Sequence, residues 1–203
     1  MTLAGLHPQS DVTLAVLAGG KGRRMGLPKA RLQIHGVPIL KRLLDQCQWH
    51  GPTLLVTSPG TQRPPAAECF DRESVDPVDD VGPLRGVLTA LRNAGTKLVL
   101  VATADMPGIR RIHLDWLVAE LTAEPRALAL LLRRSVPERC IEPFPSIFHT
   151  DFAAAIDRRL QSGRDSVRSL ADEPQVRVVD APTDWDAATW LNLNYPSDLD
   201  RVS

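Results

Sequence analysis

The chain has 203 residues, 43% of them hydrophobic and 24% charged, which suits one globular α/β domain with a sizeable core. Its formal net charge is zero, so no overall field attracts nucleic acid or an anionic membrane, and no apolar run reaches the roughly 18–20 residues of a membrane span. Three scattered cysteines argue against a disulfide framework or a cysteine zinc site, and the absence of a signal-peptide pattern favours a reduced, cytoplasmic protein.

Strand-like apolar runs alternate with helix-like spacings after a predicted flexible leader, residues 1–10. Strands are predicted at Val12–Ala18, Thr53–Thr57, around Val75, and at Lys97–Ala102, Ala127–Leu132 and Val176–Val179. Helices are predicted at Pro38–Cys47, Leu84–Leu91, Leu114–Leu121, Phe152–Leu160 and Pro196–Val202. This alternation predicts one doubly wound α/β domain over residues 11–203, with a mostly parallel sheet and right-handed crossovers.

A glycine-rich, basic segment follows the first predicted strand. It reads Leu17-Ala18-Gly19-Gly20-Lys21-Gly22-Arg23-Arg24-Met25-Gly26-Leu27-Pro28-Lys29. Such a turn lets backbone N–H groups approach an anion, and the cations neutralise it. The spacing fits neither a Walker A loop nor the dinucleotide fingerprint G-x-G-x-x-G. The segment therefore predicts binding of a nucleotide phosphate chain, the alternative being a turn that serves tight packing alone.

Two aspartates also follow predicted strands. Ligands of open parallel sheets bind beyond the carboxyl ends of the strands, so we expect Asp76, Asp105 and the glycine-rich segment along one edge. A carboxylate at Asp105 can hold Mg²⁺ against phosphate oxygens; the alternative is a helix N-cap ahead of Pro107.

Two further segments carry weaker signals. Gly82-Pro83-Leu84-Arg85-Gly86 is a turn ahead of a helix, and its alternative is a plain helix start with proline at the first position. Asn192 and Asn194 share one side if the backbone is extended, although asparagine before a proline-led helix is also a common cap.

Together these segments resemble the molybdenum-cofactor nucleotidyltransferases, the MobA-like family. The resemblance rests on the glycine-rich segment, Asp76, Gly82–Gly86, Asp105-Met106-Pro107 and Asn192-Leu193-Asn194-Tyr195-Pro196-Ser197-Asp198-Leu199, in family order over nearly the whole chain. Other nucleotidyltransferases share the opening segment, whereas the closing one favours the molybdopterin branch. The resemblance implies a Rossmann-like nucleotidyltransferase fold.

The resemblance also implies a reaction. A terminal phosphate of molybdopterin attacks the α-phosphorus of GTP, pyrophosphate leaves, and a dinucleotide form of the cofactor results. The implied partners are GTP or CTP, molybdopterin, and molybdoenzymes or other cofactor-biosynthesis proteins, without nucleic acid or membrane. No protein nucleophile is needed because the attacking phosphate is already anionic, so catalysis is positioning and charge neutralisation.

Each matched residue receives a role from the same resemblance. Arg24 and Lys29 neutralise phosphates, and Asp105, the third catalytic residue, binds Mg²⁺. The implied nucleotide- and cofactor-binding residues are Leu17, Ala18, Gly19, Gly20, Lys29, Asp76, Gly82, Asp105, Asn192 and Asn194. The two asparagines are expected near the pterin.

Four positions depart from the family pattern. Ala104 replaces a frequent cysteine, and Arg85 replaces a small residue, where it either adds a phosphate contact or faces solvent. Thr57 stands where some relatives have a base-contacting asparagine, and Glu142 where a histidine often precedes the proline. The residues Thr57 and Glu142 leave open which base the nucleotide carries and which molecule accepts the nucleotidyl group. The alternatives are a cytidylyltransferase or another transferase of the same fold with a different phosphorylated acceptor, and, in another class, a non-catalytic nucleotide- or pterin-binding partner of a molybdoenzyme.

Overall fold

A computed structural model describes residues 9–20, 22, 25–78, 82–134 and 140–202. Most of the predicted leader therefore lies outside the described residues, and Gln9–Asp11 form a short 3-10 turn ahead of the first strand. Within these ranges, no helix combines the length and the hydrophobicity that crossing a bilayer requires.

Strands β1 to β9 are Val12–Leu17, Gln33–Ile34, Val37–Pro38, Thr53–Thr57, Arg72–Val75, Leu98–Thr103, Ala129–Arg134, Cys140–His149 and Val176–Asp180. Strands β2 and β3 form a small antiparallel ribbon, and the other seven form one sheet in the order β5-β4-β1-β6-β8-β7-β9. Pairing is parallel from β5 to β6 and between β7 and β9, whereas β8 is antiparallel to both its neighbours. The predicted mostly parallel α/β sheet is thereby confirmed.

Four α-helices within the described residues flank the sheet. Helices α1 to α4 are Ile39–Cys47, Pro83–Asn93, Arg111–Thr122 and Ala153–Gln161. Helix α2 packs against α4, and α1 packs against α3. The closing helix differs from the prediction in type, because Pro196–Arg201 is a 3-10 helix. The central strand β1 is buried from Val12 to Val16, as expected of a strand covered on both faces.

Strand β8, which lies between β6 and β7 in the sheet, was not predicted from the sequence. Its sequence carries Pro143 and Pro145, and proline has no N–H to donate to a ladder, so the pattern predicts no central strand there. The structure accommodates them through an irregular ladder. Pairing with β7 shifts register between Leu130 and Leu132, and both prolines fall in the stretch between the paired residues Glu142 and Ile147.

Candidate active site

A cavity of about 460 Å³ opens where β1, β4, β5 and β6 end. These strands run parallel, so their carboxyl ends and the loops that follow meet at one edge of the sheet. Eight residues of the predicted site line this cavity: Leu17, Ala18, Gly19, Gly20, Lys29, Asp76, Gly82 and Asp105. Arg24 lies outside the described residues, and its role stays a prediction.

The glycine-rich segment approaches the end of β4 very closely at Gly19. The Ser58 hydroxyl donates a hydrogen bond to the Gly19 carbonyl at 3.0 Å, and a Cβ at position 19 would lie only 2.2 Å from that hydroxyl oxygen. Gly22 has a φ of +57°, and a Cβ there would lie 1.8 Å from the Leu27 carbonyl oxygen. Glycine is therefore required at position 22 for the observed path of the loop, whereas a Cβ at position 19 would displace the Ser58 hydroxyl from its hydrogen bond.

Lys29 links three separate segments of the chain at the cavity wall. Its backbone N–H donates to the Gly20 carbonyl at 3.3 Å, which closes the glycine-rich segment into a loop. Its ammonium donates to Asn194 Oδ1 at 2.8 Å and also to Asp105 Oδ2. The Lys29 and Asp105 side chains are only 21% and 13% exposed, so water weakens this ion pair less than it would at the surface.

Asp105 is fixed by backbone contacts on both sides. The N–H of Ala104 donates to the Leu17 carbonyl at 3.0 Å, and the N–H of Leu193 donates to the Asp105 carbonyl at 2.9 Å. The alternative interpretation of Asp105 as a helix N-cap is wrong, because the next helix begins at Arg111 with Arg110 as its N-cap. The start of α2 at Pro83, with Gly82 as N-cap, agrees with the helix-start interpretation of that turn, although Gly82 also lines the cavity.

Asn192 and Asn194 line a second cavity, of about 640 Å³, rather than the first. Arg134 and Trp190 share this cavity, with the guanidinium carbon 5.8 Å from the Trp190 ring centroid. The Lys29–Asn194 hydrogen bond joins the walls of the two cavities.

The turn that presents Asn194 is held by Asp198. The carboxylate oxygen Oδ2 accepts hydrogen bonds from the backbone N–H groups of Asn194 and Tyr195, both at 2.8 Å. These two hydrogen bonds lower the pKa of Asp198 below its ordinary value. Asp198 thus orients the asparagine that contacts Lys29.

Asp76 occupies the cavity wall beyond β5. Its backbone N–H donates to the Thr57 carbonyl at 2.8 Å, which continues the pairing of β4 and β5. Burial raises the pKa of Asp76, and a hydrogen bond from Thr89 and the positive charge of Arg85 offset only part of this effect. Its Oδ1 atom is buried and has no hydrogen-bond partner in the described part of the chain.

Ser58 was not predicted as a residue of this site, whereas Arg85 was considered with two possible roles. Ser58 follows β4 directly, so its place after a strand of the same edge was an available signal. For Arg85 the sequence left two alternatives, a phosphate contact or a side chain in solvent. The structure places Arg85 in the cavity wall, where its Nε is buried and lacks a hydrogen-bond partner among the described residues.

The sequence model of the MobA-like NTP transferase domain matches residues 14–178. The chain belongs to the MobA-like NTP transferase family. The match includes the glycine-rich segment and both cavity aspartates, and it ends before Asn192.

Two relatives and one solved structure cover nearly the whole chain. A protein of Opitutus terrae named "Probable molybdenum cofactor guanylyltransferase" is 31% identical over 202 residues, covering 92% of each chain. A protein of Pyrococcus horikoshii with the same name is 27% identical over 196 residues, covering 93% of this chain and 97% of its own. The crystal structure of molybdopterin-guanine dinucleotide biosynthesis protein A from Archaeoglobus fulgidus superposes with a TM-score of 0.77 at 23% identity, covering 94% of this chain and 96% of that one. That structure shows that the fold is shared.

Proposed function

We propose that this MobA-like protein transfers GMP from GTP to the terminal phosphate of molybdenum-loaded molybdopterin and releases pyrophosphate. One observation carries the proposal: Lys29, Asp105 and the glycine-rich loop meet in one cavity at the carboxyl ends of parallel strands. The names of the Opitutus terrae and Pyrococcus horikoshii relatives supply the base and the acceptor. The product would pass to molybdoenzymes or other cofactor-biosynthesis proteins of the cytoplasm.

The cavity suits a reaction that needs no protein nucleophile. The acceptor phosphate is already an anion, so the protein must align it with the α-phosphorus and neutralise the accumulating negative charge. The loop backbone at Gly19 and Gly20 and the ammonium of Lys29 lie where a triphosphate would enter. Lys29 would neutralise the phosphates from the position in which Asp105 and Asn194 hold it.

The donor set also fits Mg²⁺. The described residues contain no cluster of three or more His, Cys, Asp or Glu side chains able to hold a metal by themselves. Mg²⁺ typically takes one or two carboxylates and completes its shell with substrate phosphates and water. Asp105 provides such a carboxylate in the cavity wall and would hold the ion, which supplies charge neutralisation for the phosphates when bound.

The second cavity would receive the acceptor. It contains Asn192 and Asn194, whose amides can pair with a heterocycle, and the aromatic face of Trp190. The Lys29–Asn194 hydrogen bond places the junction of the two cavities at the ammonium group, where the two phosphate-bearing substrates would meet.

Thr57 stands where some relatives have a base-contacting asparagine, so a second candidate function stays open. It is transfer of CMP from CTP, or transfer to another phosphorylated acceptor. A non-catalytic nucleotide- or pterin-binding role is less well supported, because the ion pair of Lys29 and Asp105 is already assembled in the cavity.

The test is pyrophosphate release with Mg²⁺ and molybdenum-loaded molybdopterin, run in parallel with GTP, CTP and ATP. Release with GTP alone, together with a dinucleotide product identified by mass, would support guanylyl transfer. Release with CTP alone would instead support a cytidylyltransferase. Nucleotide binding without release from any of the three would favour the non-catalytic role.

A further inference from the structure

Arg134, the last residue of β7, lies in the wall of the second cavity beside a buried carboxylate and an aromatic ring. Its Nε atom is 3.1 Å from Oε1 of Glu142, whose side chain is only 10% exposed. The guanidinium carbon also lies 5.8 Å from the centroid of the Trp190 ring. These two contacts hold the guanidinium in one orientation before a substrate arrives.

The burial of Glu142 is explained by its contact with Arg134. A carboxylate taken out of water is costly unless a cation or hydrogen-bond donors accompany it. Glu142 is accompanied by the Arg134 guanidinium and by the Cys140 thiol, which donates a weak hydrogen bond to Oε1 at 3.4 Å. The contact with Arg134 is ionic, because Nε has no hydrogen-bond partner among the described residues. Glu142 does not itself line the cavity, so it acts there through Arg134.

The position of Trp190 is fixed by the residues that precede it. Thr189 is fully buried and donates two hydrogen bonds to Asp186 Oδ1, one from its N–H at 3.0 Å and one from its hydroxyl at 3.0 Å. The centroid of the Trp190 ring lies 5.7 Å from that of Trp185, another residue of this cavity. Arg134 and Trp190 therefore form a preorganised part of the wall, which reduces the entropy lost on binding.

Arg134 lies at the same edge of the sheet as the first cavity. Strands β6 and β7 both pair antiparallel with β8, so they run in the same direction and their carboxyl ends meet at one edge. Leu100 of β6 and Leu130 of β7 both pair with Ile147, and Arg134 and the residue before Asp105 each follow four positions later. Two strand spacings of about 4.8 Å therefore separate these positions by roughly 10 Å. A molecule whose phosphate lies in the first cavity can reach Arg134 with its other end.

The charge balance at Arg134 favours a neutral ligand group. Glu142 already neutralises the guanidinium, so Arg134 offers hydrogen-bond donors rather than excess positive charge. Nε is buried, whereas the side chain as a whole is 29% exposed, so its accessible surface belongs to its other atoms. A guanidinium fixed in this way suits the edge of a planar ring whose oxygen and nitrogen atoms accept hydrogen bonds, as arginine does on the edge of guanine.

We propose that Arg134 donates hydrogen bonds to oxygen or nitrogen atoms on the edge of the acceptor's heterocycle, and that Glu142 is the positioning residue that holds Arg134 for this contact. The assignment rests on the proposed function for the identity of the acceptor as molybdenum-loaded molybdopterin. It extends the acceptor site from Asn192 and Asn194 to the end of β7, and it gives Arg134 a role toward the acceptor and none toward the nucleotide.

The experiment measures the KM of each substrate in pyrophosphate release. Equilibrium binding of molybdenum-loaded molybdopterin without nucleotide is measured alongside by tryptophan fluorescence, because Trp185 and Trp190 line the cavity. Arg134→Met should raise the KM and the Kd for molybdopterin about 10- to 100-fold, the scale of hydrogen bonds to charged groups, and leave the KM for GTP unchanged. Arg134→Lys should lose nearly as much, because it keeps the charge but not the planar fork.

A double variant tests the positioning role of Glu142. Glu142→Gln alone should weaken molybdopterin binding about 3- to 10-fold, because Arg134 keeps its contact with Trp190. Arg134→Met alone leaves a buried carboxylate without its cation, which destabilises the fold, so Arg134→Met combined with Glu142→Gln is the decisive variant. It should bind molybdopterin no more weakly than Arg134→Met, whereas losses that multiply would show that Glu142 acts independently of Arg134 and would overturn its positioning role. Thermal unfolding of each variant checks that the fold is retained.

Arg133→Met is the matched control. Arg133 lies on the opposite face of β7, and its guanidinium pairs with Asp180 at 3.4 Å, so neither KM should change. Recovery of binding in Arg134→Lys would show a phosphate contact instead. Unchanged molybdopterin binding in Arg134→Met, or an equal rise in the KM for GTP, would show that Arg134 does not recognise the acceptor. Each of these results overturns the inference.

The two measurements separate this inference from the proposed function. If the unmodified protein released no pyrophosphate, guanylyl transfer would be contradicted, and the fluorescence titration would still test the contact of Arg134 with molybdopterin. If the unmodified protein released pyrophosphate with GTP and Arg134→Met left molybdopterin binding unchanged, the function would stand and the role of Arg134 would be wrong. Failure of the unmodified protein to bind molybdopterin would contradict both.

Discussion

The ammonium group of Lys29 donates a hydrogen bond to the side-chain oxygen of Asn194 at 2.8 Å, although 165 residues separate them in the chain. The same ammonium also contacts the Asp105 carboxylate. It is therefore held between the loop after β1, the end of β6 and the segment after β9. A cation fixed in this way is preorganised for anionic ligands before they arrive.

Replacing Lys29 with alanine should lower the rate of pyrophosphate release by about 10²–10³, the scale for removing one preorganised electrostatic contact. Asn194→Ala should cost less, about tenfold, because the ammonium keeps its Asp105 partner and loses one hydrogen bond. Steady-state kinetics measures both. Lys41→Ala serves as the control, since Lys41 pairs with Asp45 on the exposed face of α1. Unchanged kinetics in Lys29→Ala would show that Lys29 does not contact the phosphates.

Asp105→Asn should abolish Mg²⁺-dependent turnover while the fold is retained. The amide keeps the shape of the side chain but removes the negative charge that attracts Mg²⁺. The measurement is a Mg²⁺ titration of activity, with thermal unfolding recorded on the same preparation. Asp45→Asn is the matched control, because the Asp45 side chain is 59% exposed and lies outside both cavities. A normal Mg²⁺ dependence in Asp105→Asn would contradict the metal assignment.

Acidification should destabilise the protein through His113. Burial, followed by the nearby charge of Arg110, lowers the pKa of His113 to about 4, and its Nδ1 accepts a hydrogen bond from the Arg110 N–H at 3.1 Å. The unfolded chain takes up this proton near pH 6.5, so the stabilisation is complete above that pH. It should fall progressively between pH 6.5 and 4, by at most about 3 kcal/mol.

Urea unfolding at several pH values would measure this loss. His113→Gln keeps a neutral polar side chain beside Trp185, whose ring centroid lies 4.5 Å from the His113 ring, and cannot titrate. Its stability should be lower at neutral pH but should vary less between pH 6.5 and 4. If the difference between the two proteins were independent of pH, His113 would not remain neutral in the folded state.

Gly108→Ala should destabilise the fold, because a Cβ at this position would lie 1.9 Å from the carbonyl oxygen of Ala188. Backbone atoms must move to relieve this contact, and we expect a loss of about 2–3 kcal/mol in the free energy of unfolding. Gly95→Ala is the control, since the nearest atom to its added Cβ is an Arg72 side-chain nitrogen 3.7 Å away. Equal stabilities for the two variants would contradict the close contact.

The parallel half of the sheet could be predicted because its buried strands read as continuous apolar runs, and the carboxyl ends of those strands locate Asp76 and Asp105. Strand β8 could not be predicted, because the prolines at 143 and 145 argue against a central strand and the ladder that accommodates them is irregular. The spacing of Asn192 and Asn194 predicts that they share one side of the chain, but it does not predict the second cavity. Their place in that cavity depends on how the segment after β9 packs against Asp105. The burial of Arg85 Nε without a hydrogen-bond partner among the described residues likewise depends on how α2 packs, which the sequence pattern does not show.

The long separation between Lys29 and Asn194 has a consequence during synthesis. Strand β1 and its loop are made early, yet the ammonium gains its asparagine partner only after Asn194 has left the ribosome. A nascent chain of the first 180 residues already contains every strand of the sheet, but its lysine lacks one of the two contacts that orient it. The contact between Lys29 and Asn194 therefore forms only after every described strand has been synthesised.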